Sequence, residues 1–111
     1  MMMKLIICIV QNEDSSVLQD ELVKNGVQAT KLSSTGGFLK SGNTTLLIGT
    51  EEENVSMVMS IIEKNCGRRT QVTMSDPTFD HMLEYDFRYP INIDVGGATV
   101  FVVDIDQFKK F

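Results

Sequence analysis

The sequence predicts a single α+β domain: a four-stranded antiparallel sheet with two helices on one face, connected βαββαβ. Three observations predict it. Apolar runs of strand length lie near both ends of the chain, Leu5–Val10 and Val100–Val103. Two intervening segments carry apolar residues at helical spacing, and between them a glycine-rich stretch separates two short β-branched segments. A chain of 111 residues buries roughly two thirds of the surface of its unfolded form, which one core accomplishes.

Taken in order, Leu5-Ile6-Ile7-Cys8-Ile9-Val10 reads as a buried first strand. It is too short to span a bilayer, and no small-residue cleavage site follows it. Asp14, Ser15 or Ser16 can each cap a helix, with Gln19 three residues after Ser16. Leu18 and Leu22 share one face of that helix, which ends at Gly26 with Val27 folding back on Leu22 in a Schellman cap. Val27–Ser34 and Thr44–Gly49 read as the second and third strands. Thr50 with Glu53 is expected to form a capping box opening the second helix, whose first turn gathers three glutamates at the positive end of the dipole. Val55, Val58, Met59 and Ile62 form its buried stripe, and Gly67 ends it.

Between about 68 and 90 the pattern breaks down into an irregular loop. Arg68–Met74 can form a short strand, but Ser75–Pro90 mixes charge, aromatic residues and proline without a period, as a working loop does. Ile91, Ile93 and Val95 alternate with polar residues, Gly96-Gly97 marks a bend or bulge, and Ala98–Val103 resumes an apolar strand. The order is the split βαβ, ferredoxin-like arrangement. Its helices cover one sheet face, yet the outer strand runs are apolar at consecutive positions, so a second copy of the chain is expected on the other face.

Composition excludes several functions. With 42% hydrophobic and 23% charged residues the chain is an ordinary folded domain, and a net charge of −5 argues against general nucleic-acid binding. Cys8 and Cys66 have no metal-ligand spacing and read as packed, reduced thiols. His81, the only histidine, falls in the irregular segment beside Asp80. No zinc site or histidine-assisted nucleophile can be assembled within one chain, and Asp76, Asp80, Glu84 and Asp86 read as solvated carboxylates rather than a cation site. Arg68 and Arg69 are surface charges or reach a ligand across a subunit boundary.

The stretch TKLSSTGGFLKSGNTT, Thr30–Thr45, holds the chemistry. Between Leu22 and Thr50 there is no Asp or Glu, while Lys24, Lys31 and Lys40 fall inside the window. Gly36 and Gly37 allow backbone N–H groups to converge on an anion, and Ser33, Ser34, Thr35 and Asn43 add short polar side chains. Phe38 offers a flat apolar surface for a base, with Leu39 able to close the other side. Together these suit a nucleotide. In the competing reading, Phe38 and Leu39 tuck into an oligomer interface and the glycines merely turn a hairpin, and neither of the familiar glycine-rich phosphate-binding patterns is present.

That stretch, together with VQNEDS (Val10–Ser15) and VGGATVFV (Val95–Val102), strongly resembles the PII-like cyclic di-AMP receptors of Firmicutes-type bacteria, over nearly the whole chain except about 68–90. The resemblance implies a cytoplasmic homotrimer of ferredoxin-like protomers that binds the second messenger cyclic di-AMP in clefts between subunits. It further implies signal transduction without enzymatic activity, cofactor, metal or membrane insertion, through a long mobile loop to a downstream protein. Carried over by position, the ligand-contacting residues are Thr30, Gly37, Phe38, Leu39, Asn43 and Gly49. Gly26, Gln28, Thr35, Gly36, Phe101 and Lys110 complete the candidate set. Gln28 stands where the family commonly has an arginine, replacing a charged donor with a neutral one. Lys110 can supply part of the missing charge. Three other readings stay open on the residues: a sensor of ATP, ADP or another adenine nucleotide, a metal-binding protein or small enzyme on the same fold, and a protein-interaction module.

Overall fold

The structure, a computed structural model, describes residues 2–32, 42–74 and 90–111. Its elements are β1 (Met3–Gln11), α1 (Asn12–Lys24), β2 (Ala29–Leu32), β3 (Asn43–Glu51), a 3-10 turn (Glu52–Asn54), α2 (Val55–Cys66), β4 (Arg69–Met74), β5 (Pro90–Val95) and β6 (Ala98–Ile105). The main sheet has the order β2-β3-β1-β6 with every neighbour antiparallel. This is the expected ferredoxin-like sheet, with β6 as its fourth strand. Among the described strands, β4 and β5 pair with each other alone, as a separate antiparallel ribbon running from Arg69 opposite Val95 to Met74 opposite Pro90.

Alternation along the strands separates two faces. In β1, Ile6, Cys8 and Val10 are buried while Leu5, Ile7 and Ile9 are only partly covered. In β3, Leu46 and Ile48 join the buried set. The helices supply the matching stripe: Leu18 and Leu22 from α1, and Val58, Ile62 and Cys66 from α2, close the core with Val27. Met59, expected in the stripe, is 39% exposed, because the buried positions follow 58, 62 and 66 along a single i, i+4 row.

The helix ends test the capping arguments. At the C-terminus of α1, Gly26 has φ +76, its N–H donates to Val23 O at 3.0 Å, and the N–H of Val27 donates to Leu22 O at 2.9 Å. That is the expected Schellman geometry, and it drives Val27 into the core. The N-termini differ from expectation. α1 starts earlier, at Asn12, with Gln11 at the cap position and no side-chain cap bond, so the Ser16–Gln19 box is not formed. Ser15 lies within the helix and its hydroxyl donates to Asn12 O. Thr50 is buried in β3 and caps nothing; the 3-10 turn makes the change of direction instead. Strand pairing claimed Thr50, since β1 and β3 stay in register from Met3 opposite Glu51 to Gln11 opposite Asn43, and Ser16 falls inside a helix that already begins at Asn12.

The stretch expected to be irregular over about 68–90 is strand at Arg69–Met74 and at Pro90. The reversal from β5 into β6 uses Gly96 and Gly97, with φ +83 and +109. A Cβ on Gly96 would sit 2.6 Å from Gly67 O, so this corner closes only around a glycine.

Candidate functional site

The helices leave one face of the main sheet bare, and registers fix what stands on it. A single row crosses the four strands from Thr30 through Leu47 and Ile7 to Phe101. The next rows place Gly49, Leu5 and Val103 together on one side, and Leu32, Thr45, Ile9 and Thr99 on the other. On this face Phe101 is 52%, Val103 46% and Leu32 41% accessible, although Thr45 is buried there and Val102, on the helix side, is exposed as well. The face is therefore an apolar floor with a polar border.

Most of the described candidate residues share this face. Thr30 on β2, Asn43 and Gly49 on β3, and Phe101 on β6 have the same parity, and Gln28 lies exposed just before β2, toward the Gly49 end. Gly49 sits inside a strand with no positive φ, and a Cβ there would meet nothing within 4 Å. Among the described residues nothing demands a glycine here, so its bareness leaves the backbone open to whatever rests on the floor. Gly26 belongs to the helix cap, and Lys110 lies in the exposed tail after β6. Thr35, Gly36, Gly37, Phe38 and Leu39 lie outside the described residues, as do His81, Asp76, Asp80, Glu84 and Asp86.

Spacing separates the candidates across the face. Thr30 and Phe101 end a row three strand steps wide, and at about 4.8 Å per step they stand roughly 14 Å apart, beyond the reach of two side chains toward one ring. Thr30, Gly49 and Gln28 gather at the β2 side. Phe101 is at the opposite edge.

The electrostatics correct part of the sequence reading. Lys24 pairs with Glu21 at 3.4 Å, and Lys31, opposite Leu46, has the parity of the helix-covered face rather than that of Thr30. Of the three lysines in the acid-free window, these two therefore do not converge on the bare face, and Lys40 is outside the described residues. Arg69 is likewise no free surface charge. Its guanidinium donates to both oxygens of the buried Asp14 carboxylate, at 2.7 and 3.3 Å, which raises the Arg69 pKa, and it also donates to Gly67 O at 3.2 Å. Burial pushes the Cys8 thiol up to about 12 and the Cys66 thiol up to about 11, so both are inert and protonated near neutrality. Glu51 is raised by a hydrogen bond with Glu53. Among the described residues no group of three His, Cys, Asp or Glu side chains is arranged to hold a metal ion. A groove of about 430 Å³ between α2 and β6, lined by Met59, Ile62, Ala98 and Val100 among others, lies on the helix side of the sheet.

Long-range side-chain contacts form a cluster that sequence reasoning missed. The Asn12 N–H donates to Gly42 O at 2.8 Å, and the Thr44 hydroxyl donates to Asn12 Oδ1 at 2.5 Å. The Gly96 N–H donates to Gln11 Oε1 at 2.8 Å, and the Gly97 N–H to Cys66 O at 2.7 Å. Partners 32, 55 and 85 residues apart leave no local signal in one sequence.

A family model described as cyclic-di-AMP receptor matches residues 3–111. The chain belongs to that receptor family. Among solved structures it is similar to a crystal structure described as a functionally unknown protein from Pediococcus pentosaceus ATCC 25745. The two share 46% identity over 100% of this chain and 99% of that one, with a TM-score of 0.75. The cyclic-di-AMP receptor family match takes in both the bare face and the β4–β5 ribbon, each within the matched residues. No helix among the described residues is long and apolar enough to cross a membrane.

Proposed function

We propose that this chain, as a single domain over residues 1–111, is a cytoplasmic, non-enzymatic sensor of cyclic di-AMP. It assembles as a homotrimer and binds ligand in clefts between subunits. The signal passes through the β4–β5 ribbon and the residues 75–89 that it carries to a protein partner. The observation that carries this reading is the bare apolar face holding Thr30, Gly49 and Phe101 in a chain of the cyclic-di-AMP receptor family. Leaving Leu5, Ile7, Phe101 and Val103 half-covered in water is costly, and a neighbouring copy relieves that cost. The roughly 14 Å between Thr30 and Phe101 favours a cleft in which one protomer offers the β2 side and the next its β6 edge.

Within the cleft, Gly49 permits close approach, Thr30 and Asn43 offer polar contacts, and Phe38 stacks on an adenine ring. Gln28 contributes a neutral donor, Lys110 a cation, and the Gly36-Gly37 amides meet phosphate. Titration calorimetry with cyclic di-AMP tests the proposal: binding heat is expected, and its absence at protein near 100 μM overturns it. Phe38→Ala is expected to weaken binding by about 1–3 kcal/mol. A second reading, a sensor of ATP or ADP, is favoured by Gln28 at the arginine position. A thermal-shift series across nucleotides separates the two, since only a true ligand raises the melting point by mass action.

A further inference from the structure

The start of α1 is a four-residue turn, Gln11-Asn12-Glu13-Asp14, and three of its members hold chain segments distant in sequence. Asn12 grips both neighbours of the candidate ligand residue Asn43: its N–H binds Gly42 O at 2.8 Å, and its side-chain oxygen accepts the Thr44 hydroxyl at 2.5 Å. Gln11 lies opposite Asn43 in the β1–β3 ladder and accepts the Gly96 N–H at 2.8 Å, at the root of β5. Asp14 holds Arg69, the first residue of β4, through two guanidinium contacts at 2.7 and 3.3 Å. Both roots of the ribbon and the exit of the glycine-rich stretch are thus fastened to one helix start.

We infer that the Gln11–Asp14 turn is a positioning joint, in which Asn12 sets the place of Asn43 for ligand while Gln11 and Asp14 hold the ribbon roots, linking the two. The inference rests on the sensor reading. Such a joint needs no moving wire. A ligand that fixes Asn43 narrows the freedom of the Gly42–Thr44 backbone, which Asn12 shares, and the same rigid turn then restrains Gly96 and Arg69. Strain at the ribbon returns to Asn43 by the same contacts, because coupling between binding sites is reciprocal.

The useful perturbation is Thr44→Val, which keeps the branched shape of a buried residue and exchanges its hydroxyl for a methyl, while the exposed Asn12 amide turns to water. Folding is therefore little affected. Thr44→Ser retains the donor and serves as the rescue. Calorimetry with cyclic di-AMP is expected to show binding weakened by about 5-fold or more in Thr44→Val, as for a modest coupling, and wild-type affinity in Thr44→Ser. Amide exchange at Gly96 is expected to slow when cyclic di-AMP binds the wild type and to lose that response in Thr44→Val. If wild type binds cyclic di-AMP but Thr44→Val binds equally well, or if Gly96 exchange ignores bound ligand, the joint is overturned. If wild type itself binds no cyclic di-AMP, the sensor reading falls, and the joint falls with it.

Discussion

Phe101→Ala examines the bare face directly. The side chain is 52% exposed at the far end of the row that begins at Thr30. An aromatic side chain buries about 150–250 Å² when fully covered, so roughly 100 Å² remains for another protomer to cover. At about 25 cal/mol per Å² that is about 2.5 kcal/mol per protomer, or roughly 70-fold in an association constant. The covered half already contributes within the protomer, next to Ile7 in the β1–β6 ladder, so the variant also unfolds more readily. Assembly must therefore be measured where circular dichroism shows the variant folded. Sedimentation equilibrium across a concentration series is expected to show a trimer for wild type and a marked shift toward protomers for Phe101→Ala. A wild-type protein that sediments as a monomer at 100 μM, or a variant whose assembly constant stays within twofold of wild type, would refute the argument that this face is covered by a second copy.

Three further expectations concern the fold that carries the face. Gly96→Ala should lower the melting temperature more than Gly97→Ala: both have positive φ, but only Gly96 would drive a Cβ to 2.6 Å from Gly67 O, while Gly97 faces open space. Thermal unfolding of the two variants decides it. Leu18→Ala, at a fully buried position, should cost about 2–5 kcal/mol in urea unfolding, whereas Val17→Ala, 52% exposed, should stay within about 0.5 kcal/mol. For the buried thiols the protonated form is favoured in the fold. The unfolded chain therefore releases its protons first, near 9.0, while folded Cys66 and Cys8 hold theirs to about 11 and about 12. Their contribution to stability is complete below pH 9 and is lost as pH rises toward 12. Melting temperature should fall over that range, less steeply in Cys8→Ala, and thiol reagents at pH 8 should label the native protein far more slowly than the unfolded chain.

The limits of a single sequence show in particular residues. Gly26 and Val27 were legible because a Schellman cap is local: the residues that form it are consecutive, and φ at one glycine decides the geometry. The same local logic failed at Thr50 and Ser16. Thr50 is claimed by nine residues of β1–β3 pairing, and Ser16 by a helix that starts four residues earlier. Arg69 and Asp14 looked like a surface charge and a cap, and their partnership spans 55 residues. Lys31 looked like part of a positive cleft until strand parity put it on the face away from Thr30.

Sequence alone determined the two helices, the apolar strands, most of the buried positions and the family, because periodicity, capping glycines and motif order are written in neighbouring residues. Only the tertiary structure decided which candidate residues share a face, that β4 and β5 form their own ribbon, and that one helix start fastens both ribbon roots and the strand start at Asn43. Those outcomes depend on hydrogen-bond register and on contacts between residues far apart in the chain. Neither leaves a trace in local composition.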